Sequence, residues 1–361
     1  MAANTIAYGF TGLTHLMAER VTTVGVSVVQ RAVEESVAEH NRMLTALLAE
    51  FVELRTDHQI RNKKAGSGSL QPLDEWGNPR PVREEGYYDV AFPIQGAGTA
   101  WANNRVSRAL MTVAEANRHT LESLRRDADW IKRHVMAALL DSTSWSYGDP
   151  EFGALTIEPL ANGDTVTYVK RGGAAATDTH YLYQAAAISD SANPYDDIYD
   201  ELLEHVENPT TGEVVVYIPT ALKATTIALS TFNEPPDNQL AYGTTVTVAR
   251  GSQWDDGIRG LGDELLGRVN RCWVVEWKSL PSTHMIARAR GGQAPLGMRQ
   301  YPVASLQGLF AENHSPDGNL QEMRMLRFAG FGGLNRVGAL CYHVGNSSYS
   351  TPSGYSTPLP A

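Results

Sequence analysis

Apolar and polar positions alternate with a helical period over 112–140. Val113, Asn117, Leu121, Leu124, Ala128, Ile131, Val135 and Leu139 recur at steps of three and four, which puts them on one stripe of a helix. Thr112 followed by Glu115 reads as a capping box at its start. No Gly or Pro interrupts the run, so it predicts a rod roughly 43 Å long at 1.5 Å per residue. The opposite face carries Glu115, Arg118, Glu122, Arg125, Arg126, Asp129, Lys132 and Arg133 and reads as an exposed face laced with ion pairs.

A second stripe predicts a helix over 27–56. Val29, Val33, Val37, His40, Leu44, Leu47, Phe51 and Leu54 repeat at the same spacing, with Ser27 and Gln30 as its cap. Residues 1–26 show no period and read as an extended arm. Between the two helices the pattern breaks down. Pro72, Pro79, Pro81 and Pro93 keep this stretch out of a sheet interior. Segments 70–74 and 87–94 read as the arms of a long hairpin reaching over a neighbour. Trp76, Tyr87, Tyr88 and Phe92 are its candidate contacts, and Phe51 on the second helix is a further one.

Beyond the long helix, period-two segments take over. Asn162-Gly163 between 155–161 and 165–169 predicts a hairpin, because a type I′ turn needs positive φ at both central residues. Asn193-Pro194 opens a short helix with Asp196, Asp197, Asp200 and Glu201 in its first turns, where acids suit the positive end of the dipole. The same acids could hold a divalent cation, but the helix start explains them more simply. Strands are expected at 213–218 and 245–250, with a helix at 220–231 between them. Segments 269–277 and 284–289 are expected to pair, and 321–329 and 336–344 form the last two strands, separated by Gly330-Phe-Gly-Gly. The tail, 346–361, has no period and is expected to be disordered unless a neighbour holds it.

Composition narrows the function classes. With 361 residues and 42% apolar content the chain can bury a sizeable core, as an α+β protein with many Gly (32) and Pro (18). A net charge of −10 argues against a protein built chiefly to grip phosphates. Cys272 and Cys341 each sit in an apolar run and read as buried thiols. Residues 1–25 lack a basic start and apolar core, so no signal peptide is expected, and no run suits a bilayer. The expectation is a soluble protein from a reducing compartment.

Catalytic chemistry is hard to find. The chain holds no GxxxxGK, HExxH, GxSxG or CxxC. Ten histidines show no ligand spacing, and Gly257, Gly260, Gly262 and Gly267 follow no dinucleotide-fold strand. Trp273 and Trp277, four apart in one strand, share a face as core packing. No catalytic, cofactor-binding or metal-ligating residue is assigned.

The order of elements, however, resembles a known family. Tyr88-Asp-Val-Ala-Phe-Pro-Ile, Thr112-Val-Ala-Glu, Pro194-Tyr-Asp-Asp-Ile, Gly267-Arg-Val-Asn-Arg-Cys-Trp-Val-Val and Phe331-Gly-Gly-Leu-Asn-Arg-Val-Gly resemble stretches of the major capsid proteins of tailed bacteriophages, the Hong Kong 97 type. The resemblance implies an N-terminal arm with amphipathic helix (1–58), an extended E-loop (59–100), and a P-domain (101–185) with a spine helix at 112–141. It further implies an inserted A-domain (186–315), returning P-domain strands (316–345) and a C-terminal tail (346–361). In that family the chain self-assembles into hexamers and pentamers that form an icosahedral virion shell around double-stranded DNA, without a cofactor or a membrane. Portal, scaffolding and decoration proteins are the implied partners. The stretch before the E-loop leaves little room for a cleaved scaffolding domain, so a separate scaffold, or an arm used uncleaved, is expected. An encapsulin-type nanocompartment shell, a phage tail or decoration protein, and an enzyme with an unrecognised site stay open as alternatives.

Overall fold

A computed structural model describes residues 9–63, 73–78, 86–172, 175–209, 213–233, 263–314 and 320–359. The expected strand at 245–250 and the glycines at 257, 260 and 262 lie outside them. The long helix runs Val113–Leu140 with Thr112 as its N-cap, and both bonds of the capping box form: Glu115 N donates to Thr112 Oγ1 (3.2 Å) and Thr112 N to Glu115 Oε2 (3.1 Å). Its buried face includes Val113, Leu124, Ala128, Ile131, Val135 and Leu139, while the charged residues of the other face are exposed. Among the described residues no ion pair lies along that outer face, so the expected lacing does not form; Arg126 instead donates to Thr99 Oγ1 (3.1 Å).

The arm helix is shorter than its period predicts. It spans Val26–Leu48, begins at Gly25 (φ 105°) with no side-chain cap from Ser27, and buries Leu48 instead of Leu47. Phe51 and Leu54 continue the spacing, but the chain turns and Val52–Arg55 becomes a strand, paired in parallel with Leu296–Arg299. Two short helical turns, Thr11–Leu16 and Val21–Val24, occupy the part expected to be extended.

Two larger sheets flank the rod. The first has five strands, in the order Val52–Arg55, Leu296–Arg299, Leu320–Gly333 and Leu309–His314, with Gln95–Asn104 also on Leu320–Gly333. The stretch Gly330–Gly333 is therefore strand, and not the connection expected there. Its glycines admit a neighbouring backbone: a Cβ on Gly332 would stand 2.5 Å from the carbonyl oxygen of Ala91, and one on Gly330 would collide with that of Pro93. The second sheet has seven strands, ordered Phe232–Asn233, Glu264–Val269, Cys272–Glu276, Val214–Ile218, His284–Ala289, Ala339–Val344 and Tyr181–Gln184. Val214–Ile218 intervenes between Cys272–Glu276 and His284–Ala289, so those two do not pair as expected. Likewise the last two strands belong to different sheets.

Val214–Ile218 is buried at all five positions, which follows from cover on both faces. On one side Val215, Tyr217 and Cys341 pack with Ile131, Leu139, Phe51 and Trp277, and Trp273 packs against the same cluster. On the other, Val214, Val216 and Ile218 meet Tyr195, Ile198 and Leu202 of the helix Pro194–Glu204. That helix starts as expected, with the Asn193 side chain accepting from Tyr195 N.

The Asn162-Gly163 hairpin does not form. Both flanking segments are strands, but Gly153–Ile157 pairs back with Trp145–Asp149 and Gly163–Val169 pairs forward with Ala175–Thr179. Tertiary bonds decide the outcome: Leu160 N and Ala161 N donate to the carbonyls of Ala138 (2.7 Å) and Leu139 (3.2 Å) at the end of the long helix. The Asn162 carbonyl accepts from Arg336.

Nor does the tail need a neighbour. Tyr349 Oη donates to Leu140 O (2.8 Å), Thr357 N to Asp141 Oδ2 (2.6 Å) and Thr351 Oγ1 to Asp141 Oδ1 (3.0 Å), and Leu359 is buried. One carbonyl and a carboxylate left over at the helix C-terminus thus gain donors from the tail.

Candidate functional site

The hairpin expected to reach outward is built on Gln59–Lys63 and Tyr87–Ala91, an antiparallel pair in which Arg61 faces Asp89. Their side chains form a two-pronged bond, Nε to Oδ1 at 2.8 Å and Nη2 to Oδ2 at 2.9 Å, the strongest geometry an exposed pair can take. Of the arm first expected at 70–74, only Leu73 and Asp74 are described; Leu70, Gln71 and Pro72 lie outside. Residues 73–78 form a turn of their own. Asp74 accepts from Trp76 N (3.0 Å) and Asn78 N (2.7 Å), Asp74 N donates to Asn78 O (3.0 Å), and Gly77 supplies φ 78°. The amide of Asn78, more than any other group, holds the Asp74 carboxyl below its usual pKa. A turn organised this tightly leaves Trp76 83% and Leu73 62% exposed.

The five candidate contacts separate into two groups. Trp76 and Tyr87 (63%) are exposed, and Tyr88 is half-buried against Val90, Phe92 and Leu334. Phe92 and Phe51 are fully buried inside the chain's own fold: Phe92 lies against Gly297 of the five-stranded sheet, and Phe51 stacks with Trp277 and packs at a tilt against Tyr217. Neither can offer its ring to a neighbour. Beside the hairpin base an open groove of about 400 Å³ is lined by Tyr88, Val90, Asn162, Val166 and Leu334, among others.

The titratable groups are arranged for structure. Cys272 and Cys341 are buried free thiols, and burial pushes the Cys272 thiol up to about 12. His284 and His343 stack with ring centres 4.2 Å apart beneath Tyr349; burial lowers the pKa of His284 to about 4. One grouping escaped the reading of spacing. Asp178, Glu201, Glu204 and His205 each bring a donor atom within 4.8 Å of the others. Glu201 is pushed up to about 7, chiefly by burial and then by the neighbouring Asp178 and Glu204. Asp196, by contrast, accepts from Asn270 Nδ2 (2.8 Å) and serves the fold. The approach of strand 175–179 to the end of a later helix had no local signal.

No protein-family model and no curated protein matches the sequence. Solved structures do. One from Mycobacterium phage Patience superposes over 95% of this chain and 95% of its own, with a TM-score of 0.67 at 18% identity. The chain has the Hong Kong 97 type of capsid fold. The mature capsid of bacteriophage PhiM1 (TM-score 0.47, 8% identity, 84% and 87% covered) and the capsid of an empty GTA particle (0.48, 12%, 84% and 90%) are more distant likenesses. Among the described residues no helix is long and apolar enough to cross a membrane.

Proposed function

We propose that this chain is the major capsid protein of a tailed bacteriophage, a structural subunit that assembles into hexamers and pentamers and closes an icosahedral virion shell around double-stranded DNA. The observation that carries the reading is a fold shared with a structure from Mycobacterium phage Patience along nearly the whole length of both chains. The exposed hairpin turn supports it, since a rigid turn offering Leu73 and Trp76 to solvent is hard to explain in an isolated subunit. In this reading residues 1–58 are the arm, 59–100 the E-loop, 101–185 with 316–345 the P-domain and 186–315 the A-domain. Trp76 and Tyr87 meet a neighbouring subunit, with Tyr88 at the edge of the contact. Portal, scaffolding and decoration proteins are the further partners.

Electron microscopy of the purified chain, with and without a co-expressed scaffold, tests the proposal. Closed particles or five- and six-membered rings are expected, with nuclease-protected DNA inside particles made during infection. Removing 62–86 should leave a folded subunit that no longer closes shells, and Trp76→Ala should lower the yield of particles. A compact monomer under every condition overturns the shell reading. Normal shells from the deletion overturn the role given to the loop.

A further inference from the structure

The tail has no helical or strand period, yet it repeats itself. Tyr349-Ser-Thr-Pro and Tyr355-Ser-Thr-Pro stand six residues apart. A β-turn separates them, closed by Tyr355 N donating to Pro352 O (3.2 Å), with Gly354 at φ 87°. Both units reach one residue. Thr351 Oγ1 donates to Oδ1 of Asp141 (3.0 Å), while Thr357 N (2.6 Å) and Thr357 Oγ1 (2.5 Å) donate to Oδ2.

Asp141 is the C-cap of the long helix and is 1% exposed. A carboxylate buried that deeply is costly unless donors surround it. Thr143 N supplies one (3.2 Å), and the tail supplies the others. The tyrosines of the two units pack against the same apolar cluster, which includes Leu139, Leu140 and Cys341. Tyr349 stacks on Tyr181 of the seven-stranded sheet, with ring centres 4.6 Å apart. Past the second unit, Leu359 shares a pocket with Phe331 of the five-stranded sheet. The tail therefore runs from one sheet to the other across the end of the rod.

We propose that the tail is a strap closed by a two-part clasp, in which the repeated units grip the two oxygens of Asp141 and each keeps the other from leaving. Only Ser353 and Gly354 lie between the units. A unit that lets go thus stays within reach of its seat while the other holds, and closes again at high effective concentration. The strap opens as one piece, and weakening either unit opens both. Closed, it ties the two sheets together at the end of the rod; open, it releases that tie. This inference concerns the single chain and stands apart from the shell reading.

Chymotrypsin cuts after tyrosine and so has one site in each unit. Limited digestion of the full-length chain under native conditions, with the fragments weighed by mass spectrometry, reads opening at Tyr349 and at Tyr355 separately, because cleavage follows the open population when closing is fast. Thr357→Val keeps the side-chain volume but removes a hydroxyl bonded to a carboxylate. It should speed cleavage after Tyr349 as well as after Tyr355, by about tenfold. Thr351→Val should do the same from the other unit, and Asp141→Asn should exceed either. Ser353→Ala, at an exposed turn position, should change neither rate. The two threonine variants carry the test should Asp141→Asn fail to fold. Faster cleavage after Tyr355 alone in Thr357→Val would mean that the tail peels one unit at a time. Unchanged cleavage in both threonine variants would remove Asp141 from the closure. Either result overturns the proposal.

Discussion

Removing the carboxylate of Asp127 should cost more than any other single polar change in the rod. Asp127 is on the buried face of the long helix, where it accepts from His40 Nε2 of the arm helix (2.8 Å). It also accepts from Nε (2.5 Å) and Nη2 (2.8 Å) of Arg327 on the strand Leu320–Gly333. Arg327 Nη2 donates further to Asn41 Oδ1 (3.0 Å), and Asn41 exchanges two bonds with the backbone of Leu309. One carboxylate thus joins two helices and a sheet. Burial pushes its pKa up, but the bonds from His40 and Arg327 outweigh that and hold it below the usual value. Asp127→Ala leaves the 3%-exposed Arg327 without a counter-charge, a loss expected at about 3–5 kcal/mol. Urea unfolding of the unassembled subunit, followed by tryptophan fluorescence, measures it. Replacing the whole buried group, Asp127→Leu with Arg327→Met and His40→Leu, should recover most of the loss, since the burial cost goes with the polar groups. A drop below about 1 kcal/mol for Asp127→Ala, the range of an exposed pair, would refute the reasoning. Because the folded pKa is lowered, the unfolded chain takes the proton first. The stability owed to ionised Asp127 is complete above about pH 4 and fades as pH falls through the folded value. Asp127→Ala should flatten that acid limb.

Three smaller perturbations probe other parts of the fold. Thr112→Ala breaks the capping box and should cost about 1 kcal/mol in the same urea assay; no change would mean that the first turn is held by packing alone. Gly332→Ala drives a methyl group against the Ala91 carbonyl and should cost about 1–3 kcal/mol, so a variant as stable as wild type would contradict the close approach of the two strands. His284 is neutral in the fold because its pKa is lowered to about 4. The unfolded chain therefore binds a proton first, and stability should fall by up to about 3 kcal/mol between pH 6.5 and 4. Tyr349 covers the stacked rings and Ser350 O lies 2.9 Å from His284 Nε2, so limited proteolysis should find the tail released over the same interval. A tail equally protected at both pH values would count against this.

What the sequence made legible is what short-range physics decides. The long helix can be read because its cap, its period and its uninterrupted run all lie within 112–140, and the tertiary structure adds to that pattern without opposing it. The arm helix reads too long for the same reason. Phe51 and Leu54 keep the period, and only the pairing of Val52–Arg55 with the distant strand Leu296–Arg299 takes them out of the helix. Asn162-Gly163 is a strong local turn signal that lost to two backbone bonds from the end of the long helix. The candidate contacts show the limit most sharply. Trp76, Tyr87, Phe92 and Phe51 are alike to a reading that asks only for aromatic rings near a proline-rich hairpin. Their fates diverge because Gly297 and the aromatic pair Tyr217 and Trp277 make room inside the subunit for the two phenylalanines. No such surroundings take Trp76 in; its own turn is stiffened by Asp74. The ring left most exposed is therefore the one that long-range packing passed over, and this cannot be known before the sheets are assembled.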